Sequence, residues 1–333
     1  MPTKPKSVTI AQIAQVAGVA RSSVSRAFTR PELLKPDTVA RIRQVAEQLG
    51  YVPNYNARAL STGRNGNIAF IVPDVANPYF PPMIRSAQLE ADRRDYCVFL
   101  ADFEENGLQE TKLLERFSGK VEGVILVSSR MPEEQLLRHA ERLPLVLINR
   151  EVSGVPRVLI DAGSSLKEAV KLLAGLGHRH IAYLRGPAIA WANQQREASI
   201  LAAAEEFGLQ VSLVQSRLPS LDSGREAVDA LLASGVSGAI AFNDFLAQGV
   251  LTELAARGIS VPQAFSLVGC DNAFGAYTHP PLTTVSNRTE DAGTLAFSLL
   301  MAVLKEIPET FEERQILATR LIQRETLAPP TSP

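Results

Sequence analysis

Apolar positions fall into two regimes along this chain. Up to about residue 50 they recur at helical spacing: Ile10, Ile13, Ala14 and Ala17, then Val24, Ala27 and Phe28, then Val39, Ile42, Val45, Ala46 and Leu49. Thr9, followed three residues later by Gln12, forms a capping box that starts the first helix, and Gly18 stops it. A second short helix begins near Ala20, and the turn between the two is that of a helix-turn-helix. Pro36 suits the first turn of a third helix. The pattern predicts three short helices around one small core.

From residue 68 short continuous apolar runs alternate with amphipathic stretches. The runs are "IAFIVPD", "CVFLADF", "GVILVSS", "LVLINR" and "RVLID", and, after a connection at Gly163, "IAYLRGP", "VSLVQS", "GAIAFND", "SLVGCD" and "LTTVSN". Such runs separated by helices are parallel strands buried on both faces, so this part reads as two α/β lobes. A weak internal repeat shows in the strand-helix rhythm, without the fixed period of a solenoid.

Charge separates the same two parts. Residues 1–64 carry ten Lys and Arg against three Asp and Glu; of the chain's 34 and 35, that leaves 24 against 32 for the rest. A basic head on an acidic body implies a polyanionic partner for the head alone. The second helix supplies the chemistry, because Arg21, Ser22, Ser23, Ser25 and Arg26 combine short hydroxyls with long cations suited to base edges and phosphates. Beyond the third helix, Pro53 cannot extend it, Asn54 can cap a new one, and "YNARAL" is a turn or two that needs a partner to stay ordered.

In open parallel sheets ligands bind outside the carboxyl ends of the strands. Those ends are Asp74, Asp102, Ser128, Asn149, Arg150, Asp161, Asn243 and Asp271, a set suited to a small hydroxyl-rich or charged ligand, with Tyr79, Phe80 and Trp191 as apolar surfaces. For each carboxylate alone a helix cap is an equal alternative. Arg196 is the strongest single candidate, its fork matching vicinal hydroxyls or a carboxylate. Enzyme signatures are missing: there is no GxGxxG after a strand, no Walker loop and no GxSxG elbow. "HRH" at His178 to His180 lacks a third ligand nearby, and the two cysteines, Cys97 and Cys270, form no metal or disulfide framework. No cofactor or metal is expected. The start "MPTKPKS" has no apolar stretch after it and no run is long enough to span a membrane, which predicts a cytoplasmic protein, associated with the nucleoid when bound to DNA.

Two stretches, "TIAQIAQVAGVARSSVSR" and "GYVPNYNARAL", resemble the helix-turn-helix and hinge motifs of the lactose/galactose-repressor (LacI-type) family. "VPDVANPYF", "LGHRHIAYLRGP", "FNDFLAQG", "VGCDNA" and "PPLTTVSN" are similar to that family's effector-domain signatures, so the likeness runs over nearly the whole chain. The resemblance implies an all-α helix-turn-helix domain at 1–53, a hinge helix and linker at 54–65, and a two-lobed, periplasmic-binding-protein-like effector and dimerisation domain at 66–333. One lobe would comprise about 66–161 and 289–307, the other about 162–288 and 308–328. It further implies a homodimeric repressor on a palindromic operator in double-stranded DNA, controlled by a small-molecule effector, a sugar or related metabolite. Thr9, Arg21, Ser22, Ser23, Ser25, Arg26, Asn54 and Ala57 would meet the DNA, and Leu60 of each subunit would wedge into the minor groove. Tyr79, Phe80, Ser128, Arg150, Arg196, Asn243 and Asp271 fall at effector positions, and Trp191 is added as the only Trp. Ala20 and Lys35 depart from the pattern, standing where the family often has capping serines, and Pro219 stands where many sugar-binding relatives have an aromatic residue. The competing classes are a solute-binding module and a cleft enzyme acting on a sugar or nucleoside.

Overall fold

The computed structural model describes residues 8–51, 65–304 and 312–331. It divides into two compact units, Met1–Gly66 and Asn67–Pro333. In the first, α1 (Ile10–Ala17), α2 (Arg21–Thr29) and α3 (Pro36–Gln48) enclose Ile13, Ala14, Ala17, Val24, Ala27, Ile42 and Ala46. Thr9 caps α1 in the expected box, its backbone N–H donating to Gln12 Oε1 at 2.8 Å, and Gly18 ends the helix at φ 64°, where a side chain would be strained. Leu49, expected in the core, is 37% exposed because α3 has ended at Gln48. Phe28 and Tyr51 meet at 5.6 Å between ring centroids and close the open end. With so few buried side chains, truncating one such as Ile13 to Ala costs about 2–5 kcal/mol, a large part of what so small a unit possesses.

The second unit contains two six-stranded sheets. The first has the order β11-β5-β4-β3-β1-β2, with β1 Asn67–Val72, β2 Cys97–Asp102, β3 Gly123–Val127, β4 Leu145–Ile148, β5 Arg157–Asp161 and β11 Arg314–Ala318, all parallel. The second has the order β12-β10-β9-β8-β6-β7, with β6 His180–Arg185, β7 Gln210–Gln215, β8 Gly238–Ala241, β9 Ser266–Asp271, β10 Thr283–Ser286 and β12 Arg320–Ile322; only β12 runs antiparallel. The orders correspond strand for strand, and this is the internal repeat.

Helices cover the sheets: α4 (Phe80–Asp92), α5 (Gly107–Phe117) and α6 (Glu133–Ala140) in the first lobe, and α7 (Gly163–Gly175), α8 (Trp191–Phe207), α9 (Leu221–Glu226), α10 (Val228–Ala233) and α11 (Asp244–Ala256) in the second. The chain then returns to the first lobe as α12 (Thr289–Val303), which lies so close to α4 that a Cβ on Gly293 would stand 2.1 Å from Met83 O. All ten predicted strands form. The expected last crossing, at about 307–308, is corrected: Arg314–Ala318 pairs in parallel with β5, so the chain leaves the first lobe only at Thr319. There the Thr319 hydroxyl donates to Asp161 O at 3.0 Å, tying this crossing to the one before α7.

Candidate functional site

In the first unit α2 buries Val24 and Ala27 and turns Arg21, Ser22 and Arg26 to solvent, with Ser23 and Ser25 half-exposed. Neither Ala20 before α2 nor Lys35 before α3 makes a side-chain cap, as their departure from the family pattern implies. Thr9 is exposed, and its hydroxyl donates to Gln12 Oε1 at 3.1 Å. A helix presenting two guanidiniums and hydroxyls on one open face is equipped to bind DNA. Asn54, Ala57 and Leu60 lie outside the described residues.

In the second unit the strand ends divide by what they hold. Asp74 accepts from Ala76 N at 2.9 Å, Asp102 from Val75 N and Glu104 N at 2.7 Å each, and Asp161 from Gly163 N at 2.8 Å. These carboxylates fasten turns and helix starts, the alternative the sequence left open. Asn243 likewise caps α11 by accepting from Leu246 N at 2.9 Å, while its Nδ2 donates to the carbonyl of buried Pro219 at 3.4 Å. Ser128 closes β3 in the left-handed region at φ 49°.

Other side chains converge. Arg196, 6% exposed on α8, donates to Phe242 O and, at 3.2 Å, to Asp271 Oδ1, with its guanidinium 4.7 Å from the centroid of the Phe242 ring. Asn287, in the connection from β10 to α12, donates to the same Asp271 oxygen at 2.6 Å. From the first lobe, Tyr79 immediately precedes α4, and its hydroxyl accepts from Asn149 Nδ2 at 2.9 Å while Asn149 Oδ1 accepts from Ile160 N at 3.0 Å. Tyr79, Asp271 and Asn287 together line a cavity of about 330 Å³, which therefore has walls from both lobes. Trp191 and Arg196 line a smaller hollow with Asp161 and Gly163.

Burial sets the electrostatics here. It pushes the Asp271 carboxyl up to about 6, outweighing the charge of Arg196 and the hydrogen bonds from Arg196 and Asn287. Behind it Asp244, the first residue of α11, is pushed up to about 8 by burial and by the charge of Asp271, against hydrogen bonds from the Thr284 hydroxyl at 2.5 Å and Ala273 N at 3.0 Å. Burial also raises the Tyr79 hydroxyl, with Asp271 adding to the effect, so the phenol stays protonated at neutral pH.

Of the effector candidates the structure thus brings Tyr79, Arg196 and Asp271 together, with Trp191 at the edge. Phe80 packs in the first lobe's core, its ring edge-on to Tyr79 at 4.9 Å. Arg150 donates to Met131 O at 3.0 Å, and its buried Nε has no partner among the described residues. Asn287 and Asp244 were not singled out from the sequence. Asn287 ends the "LTTVSN" run, so the strand-end rule already points to it. Asp244 is marked only by lying next to Asn243, and its burial is a tertiary fact. In "HRH" the ring nitrogens are held by protein atoms: His178 by Ser237 Oγ at 2.6 Å and Ala328 O at 3.1 Å, and His180 Nε2 by Ser212 Oγ at 2.9 Å.

Both units resemble known proteins. Residues 9–54 match the bacterial regulatory proteins of the lacI family, and residues 170–327 match the periplasmic binding protein-like domain. The HTH-type transcriptional regulator DegA of Bacillus subtilis (strain 168) is 30% identical over 297 residues, 86% of this chain and 88% of its own. The lac repressor dimer bound to operator and the anti-inducer ONPF has the same fold, with a TM-score of 0.85 at 20% identity over 97% of this chain and 100% of its own. A complex of the transcriptional regulator CelR with cellobiose matches with a TM-score of 0.69 and 27% identity over 96% of this chain and 99% of its own. The chain belongs to the lacI family of bacterial regulatory proteins, and it is a transcription regulator with a helix-turn-helix for DNA and a two-lobed domain for an effector.

Proposed function

We propose that the protein is a homodimeric repressor that binds a palindromic operator and is controlled by a small molecule held between the lobes of its second unit. The observation that carries the DNA half is α2, whose open face holds Arg21, Ser22 and Arg26 on a unit with a core just large enough to present them. The effector half rests on the cavity with walls from both lobes and on the buried Arg196–Asp271 pair beside it. Two similar structures support this assignment, one a repressor dimer on its operator and the other a regulator with cellobiose.

Association has its own physical support. Edge strand β2 leaves Phe99 44% and Leu100 46% exposed, and Leu89 on α4 is 51% exposed. Apolar surface of this kind on a sheet edge favours a second copy of the chain. In a dimer, a ligand that closes the lobes differently changes how the two hinge segments meet, and hinge residues Asn54, Ala57 and Leu60 form or lose their contacts with DNA accordingly. A coupling of about 1–3 kcal/mol gives roughly 5–150-fold control of operator affinity. No catalytic role is assigned to the cleft. Among the described residues no helix is long and apolar enough to cross a membrane. Because its proposed partner is DNA, we place the protein in the cytoplasm.

The test is operator binding by the full chain with Arg26→Ala. Loss of a specific base contact of about 1–3 kcal/mol lowers affinity roughly 5–150-fold, and thermal unfolding of the second unit stays as it was. Unchanged operator affinity removes α2 from the groove.

A further inference from the structure

The end of the cleft where β10 leads into α12 holds a mismatch of hydrogen-bonding groups. Asn287 Nδ2 donates to Asp271 Oδ1 at 2.6 Å. An ionised carboxylate only accepts, so this bond fixes which way round the amide lies and turns its oxygen elsewhere. That oxygen, Asn287 Oδ1, is buried and has no hydrogen-bond partner among the described residues. Buried acceptors in native structures are seldom left unmatched, and Asn287 lines the cavity of about 330 Å³. Tyr79 lines the same cavity, and its hydroxyl accepts from Asn149 at 2.9 Å and keeps its own proton to give. One wall therefore asks for a donor and another for an acceptor, and a hydroxyl group is both.

Charge narrows the class further. The guanidinium of Arg196 is already committed to Asp271 at 3.2 Å, to Phe242 O and to the face of the Phe242 ring, and each partner of the ion pair has only 7% of its side chain exposed. The pair is formally neutral. Among the described residues lining the cavity the one cation is Arg288, held by Asp291 at 2.6 Å, while Asp271 and Glu290 add further carboxylates. An anionic ligand in this cavity would stand beside the buried Asp271 carboxylate with Arg196 already committed, and in a poorly solvated site like charges repel strongly.

We infer that the effector is an uncharged polyhydroxyl compound that donates one hydroxyl proton to Asn287 Oδ1 and accepts from the Tyr79 hydroxyl, and that carboxylated or phosphorylated counterparts are rejected. This rests on the cleft being the effector site. It also settles the choice between vicinal hydroxyls and a carboxylate that Arg196 alone leaves open.

The experiment uses the full chain and its thermal shift, because a ligand that binds only the folded state raises the melting temperature. The probes are D-glucose, D-galactose, D-ribose, myo-inositol and cellobiose against D-glucuronate, D-galacturonate and D-glucose 6-phosphate. A small-molecule cell extract, split on an anion exchanger into unretained and retained fractions, is run beside them. The expected result is a shift from the unretained fraction, and an affinity for the active neutral sugar on the order of 100-fold above that for its acidic counterpart. Asn287→Leu is expected to weaken the neutral ligand roughly tenfold or more, and Asn287→Ser is the smaller replacement should the leucine disturb folding. Activity confined to the retained fraction, or a uronate or phosphate binding as tightly as the neutral sugar, overturns the charge class and leaves the cleft as the effector site. A shift from neither fraction overturns the effector assignment itself, and this inference with it.

Discussion

Replacing Arg196 with methionine tests the buried pair that anchors the cleft. The change keeps side-chain length and removes the charge, leaving Asp271 buried with only Asn287 to donate to it. At a charge separation of about 4 Å and an effective dielectric of about 20, the lost attraction is about 4 kcal/mol. Removing one partner of a buried pair costs about 3–5 kcal/mol, which agrees. The loss has a defined pH dependence. Asp271 has a folded pKa of about 6, above its unfolded value, and without Arg196 that value rises further. A carboxyl raised on folding favours the folded state least at high pH. The two proteins therefore diverge most above about pH 6, where Asp271 in the parent is ionised and in the variant still resists ionisation. Urea unfolding followed by Trp191 fluorescence, at pH 5.5 and pH 8 and one protein concentration, measures both parts. Adding Asp271→Asn should recover most of the loss at pH 8, since the amide carries no charge to strand. A deficit below about 1 kcal/mol that is equal at both pH values refutes the assignment of this pair as a buried, mutually dependent ion pair.

Asp244→Asn should flatten the fall in stability on raising the pH from 5 to 8, because Asp244, with a folded pKa of about 8, opposes folding progressively over that range. Equal pH dependence of the unfolding midpoint in parent and variant would contradict it. Gly249→Ala should destabilise the second lobe by about 1–3 kcal/mol or more, since its Cβ would stand 2.0 Å from Leu221 O and 2.9 Å from Arg225 N, both backbone atoms; denaturant unfolding reads this directly. Leu60→Ala should weaken operator binding by about tenfold or more while leaving effector affinity unchanged, the loss of a wedge that offsets a few kcal/mol of unstacking; parallel titrations of DNA and effector would show whether the two separate.

Much of the architecture is legible in the chain because parallel strands buried on both faces must be continuously apolar. The two missed strands show why the rest is not. Arg314–Ala318 and Arg320–Ile322 lie at sheet edges, where Ile316 is 51% exposed, and mix charged with apolar residues. The helix-turn-helix was readable down to Thr9, Gly18 and Pro36 because caps and stops are local. The cleft was less so. Asp74, Asp102, Asp161 and Asp271 all close strands, yet among the described residues only the last meets a guanidinium, and that depends on where α8 lies in space. Asn287 derives its significance from a bond to a residue sixteen positions earlier, which no pattern in the chain encodes.

In the proposed function two copies of α2 read DNA symmetrically. The most direct measurement is selection from a random duplex library by the purified full chain, at one stated salt concentration because phosphate contacts make affinity salt-dependent. Recovery of an inverted repeat with a central CG step, its two halves equally enriched, is the predicted result. Recovery of a single unrepeated half-site, or of no enriched sequence with or without the neutral metabolite fraction, would contradict it.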